Sequence, residues 1–98
     1  MAEIRWTEEA FNWLREIYDY IASDDSSKAN KVVQSIFDRT QILRQFSEIG
    51  YLYREETEGN IRILLYGHYR IAYLVKGNDQ IDILGVFHGA LDIDKYLP

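Results

Sequence analysis

The chain has 98 residues, of which 47% are hydrophobic, with a formal net charge of −5 and no cysteine. This length supports a single domain over residues 1–98 with one continuous core, and the missing thiols exclude disulfides and thiolate metal sites, in line with a reducing compartment. The acidic balance argues against broad binding to nucleic acid, which needs surplus Lys and Arg on one face.

The alternating start "AEIRW" predicts a short strand with Ile4, and with it Trp6, turned inward. Thr7 then offers an N-cap hydroxyl to a helix over 8–22, in which Phe11, Leu14, Ile17, Tyr18 and Ile21 recur at spacings of three and four and define one apolar face. Glu8 and Glu9 occupy the first turn, where the helix dipole favours negative charge. "SDDSS" breaks the helix and supplies the next caps. A second helix is predicted over 28–45, with Ala29, Val32, Val33, Ile36, Ile42 and Leu43 inward, and the short link implies an antiparallel helical hairpin. "FSEIG" ends it.

Beyond Gly50 the hydrophobic period falls from 3.6 to 2. "YLYREE" reads as a weak strand or an extended loop, and "TEGN" as a turn. "IRILLY" and "YRIAYLV" read as strands around Gly67 and His68, "KGND" as a second turn and "QIDILGVFH" as the last strand. Residues 90–97 suffice for one helical turn. The expected fold class is α+β: an N-terminal strand, an antiparallel helical hairpin, then a three- to four-stranded antiparallel meander with the helices on one sheet face.

The opening "MAEIRWTEEAF" lacks the basic start and apolar run of a signal peptide, and no stretch approaches a membrane span, so a cytoplasmic protein without membrane partners is expected. Residues 1–58 carry seven Lys and Arg against twelve Asp and Glu; residues 59–98 carry four against four. Arg62, Arg70 and Lys76 fall in 61–76 with no acid among them. Any anion-binding surface is therefore expected on that hairpin.

No G-x-S-x-G, H-E-x-x-H or P-loop motif is present, and the two histidines, His68 and His88, stand twenty residues apart. With no carboxylates gathered around either, no metal site and no cofactor is expected. If Gly67 and His68 form a two-residue turn, alternation puts Arg62 on the face of Tyr69, Ile71 and Tyr73, and Arg70 on the opposite face. Each arginine can pair with an acid over the sheet edge, or present its guanidinium to a carboxylate or phosphate of a partner. His88, followed by Gly89, fits a hydrogen-bonded turn or an acid–base group. Tyr96 beside Leu97 fits an apolar plug whose hydroxyl still reaches the surface.

Taken together, "RILLYGHYRIAYLV" and "IDILGVFHGALDIDKYL", preceded by "W-T-x-x-A" and "L-x-x-F-x-x-x-G", resemble the RelE/ParE superfamily of type II toxin–antitoxin toxins along nearly the whole chain. The resemblance implies a helical hairpin on a twisted antiparallel sheet and a role in plasmid stabilisation. It also implies an antitoxin whose C-terminal segment wraps the toxin and fills apolar grooves, with oligomers formed alone or with that antitoxin. RelE-like members cut messenger RNA in the ribosomal A site; ParE-like members act on DNA gyrase.

RNA cleavage needs cations at the scissile phosphate and an acid or base near the 2′-hydroxyl. By resemblance to the ribonuclease members, cations are expected near Arg62, at Arg70 and just after the last strand, with Tyr96 or His88 for proton transfer. The position six residues before Tyr96, where an arginine is expected, is Ala90, and Leu91 stands where ParE-like chains often read arginine in "H-G-x-R-D". Loss of one such donor removes about 10²–10³ in rate. The expectation is thus a ParE-like, non-enzymatic toxin of DNA gyrase with Arg62, Arg70, His88 and Tyr96 as functional positions, Arg70 foremost. The alternatives are a ribosome-dependent messenger-RNA endonuclease using the same residues, and a chain that keeps its antitoxin but has lost toxicity.

Overall fold

A computed structural model describes residues 1–97. Strand β1 (Glu3–Trp6) leads into helices α1 (Glu8–Ala22) and α2 (Ser26–Thr40), and a 3-10 turn at Gln41–Arg44 follows. The meander comprises β2 (Tyr51–Glu56), β3 (Gly59–Tyr66), β4 (Tyr69–Lys76) and β5 (Gln80–His88), and a last 3-10 turn spans Ile93–Lys95. The α+β architecture is as expected, and "YLYREE" is a strand.

Caps decide where the helices begin. The Thr7 hydroxyl accepts from the Ala10 N–H at 3.1 Å and donates to the Ile83 carbonyl at 2.8 Å, so one oxygen starts α1 and ties it to β5. Asp25 accepts from the Lys28 N–H at 3.0 Å, which starts α2 at Ser26, earlier than the expected residue 28. The single helix expected to reach Gln45 divides at Thr40. There the buried Thr40 hydroxyl donates to the Phe37 carbonyl at 2.6 Å, a local bond that competes with the helical ladder, and the chain tightens into its 3-10 turn.

The five strands lie in the order β1-β5-β4-β3-β2. β2 to β5 form the antiparallel meander, whereas β1 runs parallel to β5, from Glu3 opposite Gln80 to Trp6 opposite Ile83. A parallel pair needs a long crossover, and here everything between the first and last strands supplies it. The buried Asp82 carboxylate stitches this edge together, receiving Arg5 at 3.0 Å, Lys76 at 2.8 Å and Gln80 at 2.9 Å. Burial alone would raise its pKa; the hydrogen bonds from Lys76, Gln80 and Arg5 outweigh that and hold it below the ordinary carboxylate value.

Both sheet faces are covered. On the helix side, Leu14, Ile36 and Leu43 pack against Leu64, Ile71, Tyr73 and Val86. On the other side, Ile61, Ile63, Leu74 and Phe87 lie beneath Ile93 and Leu97, so the segment after β5 caps a second, smaller core. Gly85 makes room for this: a Cβ there would lie 2.5 Å from the Phe87 ring.

One inward assignment is corrected. Phe11 is 54% exposed, because the buried stripe of α1 runs one position earlier through Ala10 and Leu14. Ala10 lets the helix approach the sheet closely, which turns Phe11 outward. Phe11 stacks on the half-buried Trp6 at 5.6 Å between centroids, and Trp6 stacks on Phe37 at 5.9 Å.

Candidate functional site

The hairpin register places Tyr66 opposite Tyr69, Arg62 opposite Tyr73 and Leu65 opposite Arg70. The turn therefore holds two residues, and the two arginines occupy opposite faces, as alternation requires.

Arg62 points into the connection that enters β2. Its guanidinium donates to the Gly50 carbonyl at 2.8 Å, the Glu48 carbonyl at 3.2 Å and the Asn60 side-chain oxygen at 2.8 Å, with the Glu48 carboxylate at 3.4 Å. The Gly50 N–H in turn donates to the Tyr73 hydroxyl at 2.9 Å. Only glycine fits there, since a Cβ would stand 2.6 Å from the Ile63 carbonyl oxygen. Burial raises the Tyr73 hydroxyl pKa, while the Gly50 N–H and the nearby Arg62 charge oppose the rise.

Arg70 reaches the segment that leaves β5. Its terminal nitrogen donates to the carbonyls of Leu91 and, at 3.3 Å, Gly89, while its buried Nε–H meets no acceptor among the described residues. The Gly89 N–H donates to the His68 carbonyl at 2.7 Å, so the hairpin turn and Arg70 grip the same stretch. Of the acid pairing expected for the arginines, Arg62 keeps the contact with Glu48, whereas Arg70 meets backbone.

His88 is exposed. Its Nδ1 accepts from the Ala90 N–H at 3.3 Å, closing the turn that follows the strand, and its ring lies 6.3 Å from His68 and edge-on to Tyr69 at 6.1 Å. The Tyr96 ring rests against Phe87 at 6.0 Å and edge-on to Trp13 at 5.0 Å. Nearly half of Tyr96 remains exposed. Arg70, His88 and Tyr96 thus share the end of the sheet where the tail departs, though His88 leans to the helix face and Arg70 to the other. Arg62 belongs to the β2–β3 side. Among the described residues no group of three or more His, Asp or Glu could hold a metal ion.

Beside this end of the sheet lies a groove of about 510 Å³ between α1 and the β4–β5 ends, with Trp13, Ile17, Tyr20 and Ile21 on one wall and Tyr69 and Val86 on the other. His88, Ala90 and Leu91 form its mouth. Burial raises the Tyr69 hydroxyl pKa. Sequence reasoning did not single out Trp13 and Tyr20. The signal was present: they extend a second apolar stripe at i, i+4, i+7 and i+8 beside the one that enters the core.

The arrangement turns its arginines onto backbone carbonyls and offers an open apolar groove. No helix among the described residues is long and apolar enough to cross a membrane. A family model described as the ParE toxin of the type II toxin–antitoxin system parDE matches residues 4–93. Among solved structures, the chromosomal ParDE toxin–antitoxin system from P. aeruginosa contains a chain 31% identical, with a TM-score of 0.70, covering 90% of this chain and 96% of that one. A chain of the toxin–antitoxin complex RelBE2 from Mycobacterium tuberculosis is 22% identical over 89% of this chain and 96% of its own, with a TM-score of 0.57, a likeness of fold. No curated protein matches. The family match takes in both the helical hairpin and the meander, and this chain belongs to the ParE toxin family of type II toxin–antitoxin systems.

Proposed function

We propose that this chain is a cytoplasmic toxin that inhibits DNA gyrase by binding it, and that a cognate antitoxin neutralises it in a module serving plasmid stabilisation. The family match over residues 4–93 carries the reading. The solved relatives come from toxin–antitoxin complexes, which supports an antitoxin partner.

The bonding of the arginines favours a binding toxin over a ribonuclease. A phosphate-cleaving site needs cations free to meet charge as it develops. Arg62 and Arg70 instead satisfy the carbonyls of Glu48, Gly50, Gly89 and Leu91. Ala90 and Leu91 occupy the positions where the resemblance expects further cations. His88 and Tyr96 remain accessible at the same end of the sheet and are the side chains this reading offers to a target protein, with Arg70 shaping the backbone between them.

Purified chain added to a gyrase supercoiling assay should inhibit supercoiling and accumulate cleaved DNA, and added antitoxin should reverse both. A-site cuts in messenger RNA, with supercoiling untouched, would replace this reading with the endonuclease. Leu91 at the usual arginine position favours one second reading, a chain that binds its antitoxin without toxicity; it predicts neither effect.

A further inference from the structure

We propose that the free edge of β1 is the contact through which two copies of this chain pair, strand against strand, about a two-fold axis at Arg5.

The sheet ends in two unlike edges. Along β2 the ladder shifts at a bulge between Leu52 and Arg54, and Glu55 and Glu56 follow; bulges and charges of this kind keep an edge from pairing. β1 has neither bulge nor proline, and its register to β5 is unbroken. Its odd-numbered backbone groups serve that ladder: the Glu3 N–H donates to the Asp79 carbonyl at 2.9 Å and the Thr7 N–H to the Ile83 carbonyl at 3.1 Å. The even-numbered groups therefore point away from the sheet. Ala2 spends its N–H on the Arg44 carbonyl at 3.1 Å, whereas the N–H and carbonyl groups of Ile4 and Trp6 meet no partner among the described residues.

This leaves one antiparallel register for a second copy. Ile4 set opposite its own counterpart would bring the second copy's Trp6 onto Ala2, where the Arg44 carbonyl already sits. Ile4 set opposite the second copy's Trp6 uses both open residues of each chain, and each facing pair exchanges both backbone hydrogen bonds. The relation is reciprocal, as a two-fold interface requires.

The side chains agree with that register. Ile4 and Trp6 face the helices, and the exposed rings of Phe11 and Phe37 stack on Trp6 at the same edge. Pairing sets the two aromatic ledges side by side and covers apolar surface that a single copy leaves in water. Glu8 lies two residues beyond Trp6, so in the second copy it comes level with Ala2 and hence with Arg44 of the first. Glu3 lies diagonal to the second copy's Arg5, about 7–8 Å away and within reach of long side chains. Arg5 opposes Arg5 across the axis, a like pair offset by the Asp82 carboxylate that holds each one at 3.0 Å. Glu3, Glu8 and Arg44 form no ion pair among the described residues. Uncommitted charges of both signs, placed to meet reciprocally, select a second copy over an unrelated strand. The contact runs beside Gln80–Ile83, so His88 at the far end of β5 stays clear of it.

Sedimentation equilibrium of the full chain should show monomer near about 1 μM and a dimer that grows in above about 100 μM, as befits a small interface. Glu8→Lys alone and Arg44→Glu alone should each weaken the dimer about tenfold, since each reverses both symmetry-related pairs. An equimolar mixture of the two variants should recover the original affinity, because the heterodimer restores both pairs with their signs exchanged. Phe11→Ser should weaken pairing too, while Glu55→Lys on β2 should leave it unchanged. Hydrogen exchange at the Ile4 and Trp6 amides should slow as concentration rises, and exchange at Leu52 and Glu55 should not.

A chain that stays monomeric at about 500 μM overturns the proposal. So does a mixture of the two charge variants that associates no better than its parts. Slowing at Leu52 and Glu55 in place of Ile4 and Trp6 would move the contact to the other edge and overturn it equally. The exchange measurement uses the unaltered chain, so it decides the matter even where a variant fails to fold.

Discussion

Arg62 and Arg70 lie in neighbouring strands and bind the same kind of acceptor, yet the segments they hold lead to different places. Arg62 grips the loop at Glu48 and Gly50, and Gly50 passes the restraint to the fully buried Tyr73 through a second hydrogen bond. Arg70 grips Gly89 and Leu91, whose neighbours His88 and Ala90 are exposed. One clamp is wired into the main core; the other shapes the edge of a surface. The lesson is that an arginine's weight depends on where its acceptor's chain goes next, since the bonds themselves are alike.

The largest effect should come from Arg62→Ala, which removes the bonds to Asn60, Glu48 and Gly50 from a loop tied to a buried tyrosine and should cost about 3 kcal/mol. A denaturant titration reads it as a lower midpoint, and a loss no greater than that of Arg70→Ala would erase the contrast. Tyr73→Phe leaves the Gly50 N–H buried without its acceptor and should cost about 2 kcal/mol. A double-mutant cycle joining these two changes should show coupling of about 0.5–1 kcal/mol; strict additivity would cut the proposed wiring between them.

Acid separates both clamps from the Asp82 network. Because the folded carboxyl of Asp82 is held below its unfolded pKa, the stability it contributes is present above about pH 4 and is lost as pH falls through the lower folded value. Asp82→Asn should cost about 1.5 kcal/mol at neutral pH and flatten the acid limb of a stability–pH curve. Carbonyls do not titrate, so the penalty of Arg70→Ala should keep its size between pH 7 and pH 4, and that of Arg62→Ala should change only through its exposed pair with the Glu48 carboxylate.

The smallest global effect belongs to Arg70→Ala, about 1 kcal/mol, because it holds two carbonyls of a surface turn that passes no hydrogen bond on to the core. Its signature is local: amide exchange at residues 89–91 should quicken about tenfold while the middle of β5 keeps its protection. Equal acceleration along β5 would make Arg70 a core residue like Arg62.

The order of elements, the cap at Thr7 and the opposite-face placement of the two arginines could all be read from the sequence, since each follows from spacing within a few residues. Phe11 could not. Hydropathy favours it over Ala10, whereas packing rewards the small residue that lets a helix come close to its sheet. The pairing of β1 with β5 could not be read either, because a strand's own pattern does not name its neighbour. Nor were the arginines' acceptors visible, since backbone carbonyls occur at every residue and leave no mark in composition. The second stripe of α1 was written in Trp13 and Tyr20, but one continuous apolar face accounts for most of its members, and that reading concealed the groove.

The parallel seam between β1 and β5 also sets a clock. Arg5 and Asp82 are separated by 77 positions, so the first strand emerges long before its partner exists. At a synthesis rate of about 5–20 residues per second, that interval is about 4–15 s. Throughout it the nascent chain can form its helices and hairpins, but the sheet lacks β5, the strand that joins β1 to β4, and the hydroxyl of Thr7 lacks the Ile83 carbonyl. A ribosome stalled before residue 80 therefore holds an unfinished sheet whose first strand still waits for its partner.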